Sequence, residues 1–177
     1  MSEDVQEGPA PVDGNSAIDP AARGLRVARI GKHHIFAAMG IGLVPIPMVD
    51  IVGLFGVNLD MIRKLCAEYH VPFDQERGRA ILASLFSGLF PVAVGGPMIS
   101  LLKFIPLIGQ TVGAVAFPVL AGATTYAVHD VFVQHYEAGG TILDFSAAKF
   151  KRRFAECFCE GKNVAADLHK GDPAEAV

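Results

Sequence analysis

The chain has 177 residues, of which 51% are apolar and only 19% charged, and its net charge is −3 at pH 7. Soluble domains usually carry about a quarter charged residues, so this composition favours helices buried in lipid or in an assembly. The slight acidity excludes a general nucleic-acid binder, which needs a basic face. Three cysteines, an odd number, exclude a disulfide framework and indicate a reducing environment.

Both ends of the chain are polar. Residues 1–20 are acidic, rich in proline and glycine, and without the apolar core of a signal peptide, so we predict a disordered tail there and another over 161–177. A single helical, membrane-associated domain is expected between them, over 21–160. Its first segment, 21–34, mixes apolar residues with cations and is typical of a short helix on a membrane surface. The cations are Arg23, Arg26, Arg29 and Lys32.

An uncharged stretch from Ile35 to Val49 follows, interrupted by two glycines and two prolines. It is shorter than the roughly 20 residues that a membrane-spanning helix needs, so it crosses, re-enters or lies flat. The next helix is predicted from about Pro47 to Tyr69, because proline suits a first helical position and the second half is amphipathic. Arg63 and Lys64 lie on its charged face, which is a candidate surface for a partner or a membrane.

Two long stretches without charged residues come next, 80–102 and 104–128. Each is long enough to span a bilayer, and together they predict a helical hairpin that turns near Lys103. The G-x-x-x-G spacing of Gly109 and Gly113 predicts close helix packing. Because cations are more frequent on the outer flanks than at the turn, the positive-inside bias predicts an inner-membrane protein with both termini cytoplasmic. Burial of the same stretches in a soluble oligomer is the alternative.

Polar residues in or beside the apolar stretches are candidates for lying in the membrane or for organising the helices: Asp50, Asn58, Gln110 and Thr124. Asp50 has two explanations. It is a polar contact or part of an ion or proton path inside an apolar region, or it caps the helix that begins near Pro47. Hydroxyl and amide groups such as those of Thr124 and Gln110 are typical of bonds between helices.

A last helix is predicted over 146–160, with aromatic residues repeating every four positions along one face. These are Phe150, Phe154 and Phe158. The cations beside them form a second candidate surface for a partner or a membrane: Lys149, Lys151, Arg152 and Arg153.

The sequence offers no catalytic or metal motif. His33 and His34 point about 100° apart on a helix, and Cys157 and Cys159 point about 200° apart, so neither pair forms a metal site alone. Phosphate-loop, dinucleotide, zinc-protease and serine-hydrolase motifs are not found. We therefore predict a non-enzymatic protein without catalytic residues, metal or cofactor.

Several short motifs occur between residues 30 and 140. They are Val44-Pro45-Ile46-Pro47-Met48-Val49-Asp50, Asn58-Leu59-Asp60-Met61-Ile62, Leu65-Cys66-Ala67-Glu68-Tyr69, Lys103-Phe104-Ile105-Pro106-Leu107-Ile108-Gly109 and Thr124-Thr125-Tyr126-Ala127. This set resembles a bacterial family called domain of unknown function six-nine-seven. Asn58, His70 and His129 stand where its pattern has glutamine, glycine and glycine. The family often accompanies Era-like or dynamin-like GTPase domains, so the resemblance implies a membrane module with a GTPase partner, and it carries over no catalytic residues.

These observations predict an all-α, membrane-associated domain with a central apolar hairpin and flanking amphipathic helices. The expected function is to anchor or recruit a partner. Two alternatives stay open: an oligomeric channel or transporter subunit lined by Asp50 and Gln110, and a self-assembling scaffold whose apolar helices are buried in the oligomer. The expected partners are a membrane, further copies of the chain and a GTPase or another protein.

Overall fold

The computed structural model describes the backbone of residues 20–43, 49–94 and 108–170, and the side chains of residues 20–43, 51–87 and 117–166. The described residues form five helices and no strand, which confirms the all-α prediction. The helices are α1 (Pro20–Gly42), α2 (Val49–Glu68), α3 (Gln75–Val94), α4 (Ile108–Glu137) and α5 (Ala147–Lys170).

Local signals in the sequence account for several helix ends. Pro20 occupies the first position of α1, where its missing N–H is not needed. Asp74 caps α3, because its carboxylate accepts a hydrogen bond of 2.9 Å from the amide of Arg77. Helices α2 and α4 both end in a left-handed residue, His70 with φ of 56° and Gly139 with φ of 82°. In each case the next residue donates back to the last turn, which satisfies a free carbonyl.

Successive helices run in alternating directions, so the bundle has two ends. One end holds the start of α1, the α2–α3 turn and the α4–α5 turn, and we call it the polar end. Arg26 donates to Glu68 there at 2.6 Å, and Arg77 donates to the carbonyl of Leu143 at 2.8 Å. The most extensive packing joins α4 to α5, α4 to α1 and α1 to α2.

The core lies along α4. Phe132 is fully buried and stacks on Phe145, with ring centroids 4.4 Å apart and planes inclined by 8°. The aromatic face predicted for the last helix points into this core, where Phe154 and Phe158 are buried and Phe150 is partly buried. The aromatic face is therefore used by the chain's own fold.

Two helices are longer than the sequence indicated. α1 runs past residue 34 to Gly42, and α5 runs past residue 160 to Lys170, so residues 161–170 are helical where a tail was expected. The reason for the second difference is Gly161, which resembles a stop signal in sequence. Its missing side chain lets α5 lie against Ala123 of α4 instead. The rest of the predicted tails, residues 1–19 and 171–177, lies outside the described residues.

The predicted hairpin differs in its packing. Its turn lies outside the described residues, in 95–107. Elsewhere α3 packs on α2 and α5, whereas α4 packs chiefly on α1 and α5, so the two arms are not each other's main partners. Residues 121–128 of α4 are covered by helices of the same chain. Among the described residues, no helix has both the length and the apolar character needed to cross a membrane.

Candidate functional site

Buried and half-buried polar contacts fasten α1 to α2. The His34 ring is buried, with Nδ1 2.7 Å from the carbonyl oxygen of Ile30 and Nε2 3.1 Å from a carboxylate oxygen of Asp60. Both neighbours are acceptors, so the ring nitrogen that carries the hydrogen donates to the acceptor beside it. Lys64 lies 2.8 Å from the same Asp60 oxygen. Hydrogen bonds from Lys64 and then His34 hold the pKa of Asp60 below its usual value, against the opposing effect of burial.

The predicted surface residues of α2 thus have different surroundings. Lys64 is half exposed and paired with Asp60 within the helix. Arg63 is exposed and lines an open groove between α2 and α3, together with Phe73 and Gln75. Arg63 is therefore available to a partner, whereas Lys64 is partly occupied.

Asn58 connects α2 to α4 in the interior. It has no exposed surface, and its Nδ2 donates to the carbonyl of Leu54 at 2.8 Å and to Oγ1 of Thr125 at 3.2 Å. Among the described residues, its Oδ1 meets no hydrogen-bond donor. Thr124 is also buried, but it donates to Leu120 within α4 and not across helices.

The remaining predicted organising residues are placed only by their backbone. Asp50 is the second residue of α2, inside its first turn. Gln110, Gly109 and Gly113 lie in the first two turns of α4. The side-chain contacts of all four lie outside the described residues.

A polar cluster joins α4 to α5. One carboxylate oxygen of Asp130 accepts from Arg153 Nη2 at 3.1 Å and lies 3.0 Å from the Cys157 sulfur. Burial, reinforced by the hydrogen bond to Asp130, raises the pKa of the Cys157 thiol to about 12, so the thiol stays protonated and donates. Arg153, predicted as a surface cation, thus contributes to helix packing. The other three cations of that group are exposed: Lys149, Lys151 and Arg152.

The end of the bundle opposite the polar end exposes large apolar side chains. They are Leu43, Ile51, Val52 and Phe117, each more than half exposed, and we call this group the apolar end.

Two glycines bring the helices of the apolar end together. A Cβ on Gly42 would lie 2.9 Å from the Pro118 backbone, and one on Gly53 would lie 3.0 Å from the Ile41 side chain. The C-terminus of α1 therefore meets both α4 and the start of α2. Ile51 and Val52 also line an open groove of about 360 Å³ between α2 and α3.

Several contacts were not predicted from the sequence. Asp60 links α2 to α1 through its contact with His34. His129, which departs from the family pattern, has its Nε2 3.1 Å from the Val27 carbonyl, in space that Gly31 leaves free. Its burial lowers its pKa. Sequence spacing carries no signal for such pairs, because the partners are up to 102 residues apart.

The described residues contain no group of three or more His, Cys, Asp or Glu side chains placed to hold a metal ion. What the geometry does provide is an end with four exposed large apolar side chains, opposite an end with ion pairs and hydrogen bonds between segments, together with exposed cations on α1, α2 and α5.

Comparison with known proteins identifies the family to which the chain belongs. The family described as domain of unknown function (DUF697) matches residues 22–140, which include α1 to α4. The chain belongs to this family. The resemblance predicted over about residues 30–140 is thereby confirmed.

One relative of this DUF697 protein extends the similarity to α5. Magnetosome membrane protein 22 of Magnetospirillum gryphiswaldense is 37% identical over 169 residues, which are 95% of this chain and 87% of that protein. No solved structure matches the chain.

Proposed function

We propose that this DUF697 protein is a non-enzymatic membrane module that contacts a bilayer through its apolar end and presents exposed cations to a partner. The observation that carries the proposal is the clustering of Leu43, Ile51, Val52 and Phe117 at one end of the bundle. Large exposed apolar patches on soluble proteins mark binding surfaces for membranes or other proteins. The name of the relative, a magnetosome membrane protein, supports a membrane as what covers this end.

The sequence around the apolar end supports the same assignment. Residues 44–48, which join Leu43 to Val49, have the sequence VPIPM and carry no charge. Residues 95–107, which join α3 to α4, carry one charge, on Lys103. The composition of both connections is therefore compatible with contact with the hydrocarbon of a bilayer, where charged side chains are costly.

The membrane in this proposal is the bacterial inner membrane, and both termini lie in the cytoplasm. If the protein contacts the membrane from the cytoplasm without crossing it, the whole bundle stays in the cytoplasm. The cations of the flanking helices agree with this side, because the positive-inside bias puts cations in the cytoplasm. The partner is a GTPase or another protein, on the strength of the family resemblance. The partner binds exposed cations of α2 and α5. These are Arg63 on α2 and Lys149, Lys151 and Arg152 on α5.

Flotation with vesicles of neutral phosphatidylcholine tests the membrane contact. The double substitution of Ile51→Gln and Val52→Gln removes two exposed apolar side chains and keeps helix propensity. Half burial of both side chains in lipid contributes about 1.5–3 kcal/mol in total, so we expect roughly tenfold to hundredfold weaker binding.

The matched control is Leu143→Gln, because Leu143 is also exposed and apolar but lies at the polar end. It should bind vesicles like the wild type. Equal binding by the double variant, or equal loss in the Leu143 control, contradicts the proposal.

A further inference from the structure

A strip along the outer face of α1 carries cations and apolar side chains together. Leu25 defines the direction of this face, and Leu43 directly follows Gly42, the last residue of α1. Phe36, Arg29 and Lys32 all lie within about 40° of that direction. Leu25 is 72% exposed, Leu43 58% and Phe36 46%. Arg29 is exposed and Lys32 partly exposed. We call these five residues the outer strip.

The opposite face of α1 packs against the rest of the bundle. Its buried residues are Val27, Gly31, His34, Ile35, Ala38 and Met39. The contact between His34 and Asp60 fastens this face to α2. The outer strip is therefore a surface of the folded protein, about 27 Å long.

The charge of the strip is not neutralised. α1 holds four cations and no Asp or Glu over its whole length. Arg26 is used by Glu68, 2.6 Å away, and the guanidinium of Arg23 lies 5.2 Å from the centre of the Tyr69 ring. In the part of the chain that the structure describes, neither Arg29 nor Lys32 makes an ion pair.

We propose that the outer strip binds anionic lipid headgroups. This inference rests on the proposed membrane contact and extends it, because Leu43 belongs both to the apolar end and to the strip. For both contacts to involve the same bilayer, α1 lies along the membrane surface. The apolar side chains of the strip then enter the boundary between headgroups and acyl chains, while Arg29 and Lys32 meet the lipid phosphates. The protein then prefers an anionic membrane to a neutral one.

Two other occupants fit the strip less well. A nucleic acid would leave Leu25, Phe36 and Leu43 unused, since its phosphates need only the cations. A second copy that met the same strip would bring Arg29 and Lys32 against their own counterparts, with no acidic residue on α1 to offset the repulsion.

The test compares phosphatidylcholine vesicles with vesicles that also contain phosphatidylglycerol. The wild type should bind the anionic vesicles more tightly at low salt and lose this preference at high salt. The double variant of Arg29→Gln and Lys32→Gln should bind anionic vesicles roughly 25-fold more weakly, about fivefold per cation. Its binding to neutral vesicles should stay unchanged.

Two further variants isolate the position of the charges. The double variant of Arg79→Gln and Lys162→Gln loses the same net charge from exposed residues of α3 and α5 and should keep the preference. The exchange of Arg29→Lys with Lys32→Arg should keep it as well.

Three results overturn the proposal: unchanged anionic binding by the Arg29 and Lys32 double variant, an equal loss in the Arg79 and Lys162 control, or a loss confined to binding of a DNA duplex. The proposed membrane contact of the apolar end is tested separately: it is wrong if the wild type does not bind neutral vesicles.

Discussion

The contact between α4 and α5 gives the sharpest stability prediction, because two glycines in comparable helical positions should respond oppositely to alanine. A Cβ on Gly161 would lie 3.0 Å from both Cα and the carbonyl oxygen of Ala123, and these backbone atoms cannot rotate away. A Cβ on Gly56, in the middle of α2, would meet nothing within 4 Å. Alanine gains about 1 kcal/mol over glycine in a helix interior, whereas overpacking costs about 1–3 kcal/mol. Gly56→Ala should therefore stabilise the fold by up to about 1 kcal/mol, and Gly161→Ala should destabilise it by about 1 kcal/mol.

Thermal unfolding followed by circular dichroism measures this difference. A gap of about 2 kcal/mol between the two variants corresponds to about 4–8 °C in Tm for a chain of this size. The Gly56 variant also controls for any general effect of alanine on helix formation. If Gly161→Ala unfolds at the wild-type temperature or above it, α4 and α5 do not approach each other through Gly161, and the extension of α5 beyond residue 160 loses its explanation.

Two other changes have opposite expected effects on stability. His70→Gly should stabilise the protein by about 1 kcal/mol in urea unfolding, since His70 has a φ of 56° that glycine adopts without strain, and His70→Ala should leave stability nearly unchanged. Asp144→Asn should destabilise it at neutral pH. Hydrogen bonds from the side chain and backbone of Thr141 lower the pKa of Asp144 to about 2, so its contribution is complete above the usual value near 3.9 and lost as the pH falls towards 2. Unfolding curves of wild type and variant should converge over that range, and a constant difference would contradict the assignment.

The helices themselves were predictable, because their signals are local. The amphipathic pattern of 58–69 indicates α2, the Asp74 cap marks the start of α3, and the aromatic repeat beginning at Phe150 indicates α5. The position of His70 was visible as a departure from a glycine in the family pattern. Its left-handed conformation gives the physical reason for a glycine there.

The surroundings of the helices were not predictable in the same way. α4 is apolar on all sides, a pattern shared by helices buried in lipid, in an oligomer and in the centre of one chain. Residues 121–128 of α4 are covered by α1, α2 and α5. Which of the three environments applies depends on whether other segments present complementary surfaces. Here small residues far apart in sequence, such as Gly31, Gly122 and Gly161, provide the fit.

The sequence of α1 predicts a surface helix, but it does not show which apolar residues are exposed on it. The apolar residues of the predicted basic helix over 21–34 include Leu25, Val27 and Ile30, but Val27 and Ile30 face the bundle. Two of the three apolar residues of the outer strip, Phe36 and Leu43, lie beyond the predicted helix. Phe36 shares the face of Leu25, and Leu43 follows it, because α1 continues without interruption to Gly42. A membrane preference of this protein therefore depends on helix continuity through residues 35–42. A proline substituted for the exposed Gly40 should reduce binding to anionic vesicles even though Arg29 and Lys32 are retained.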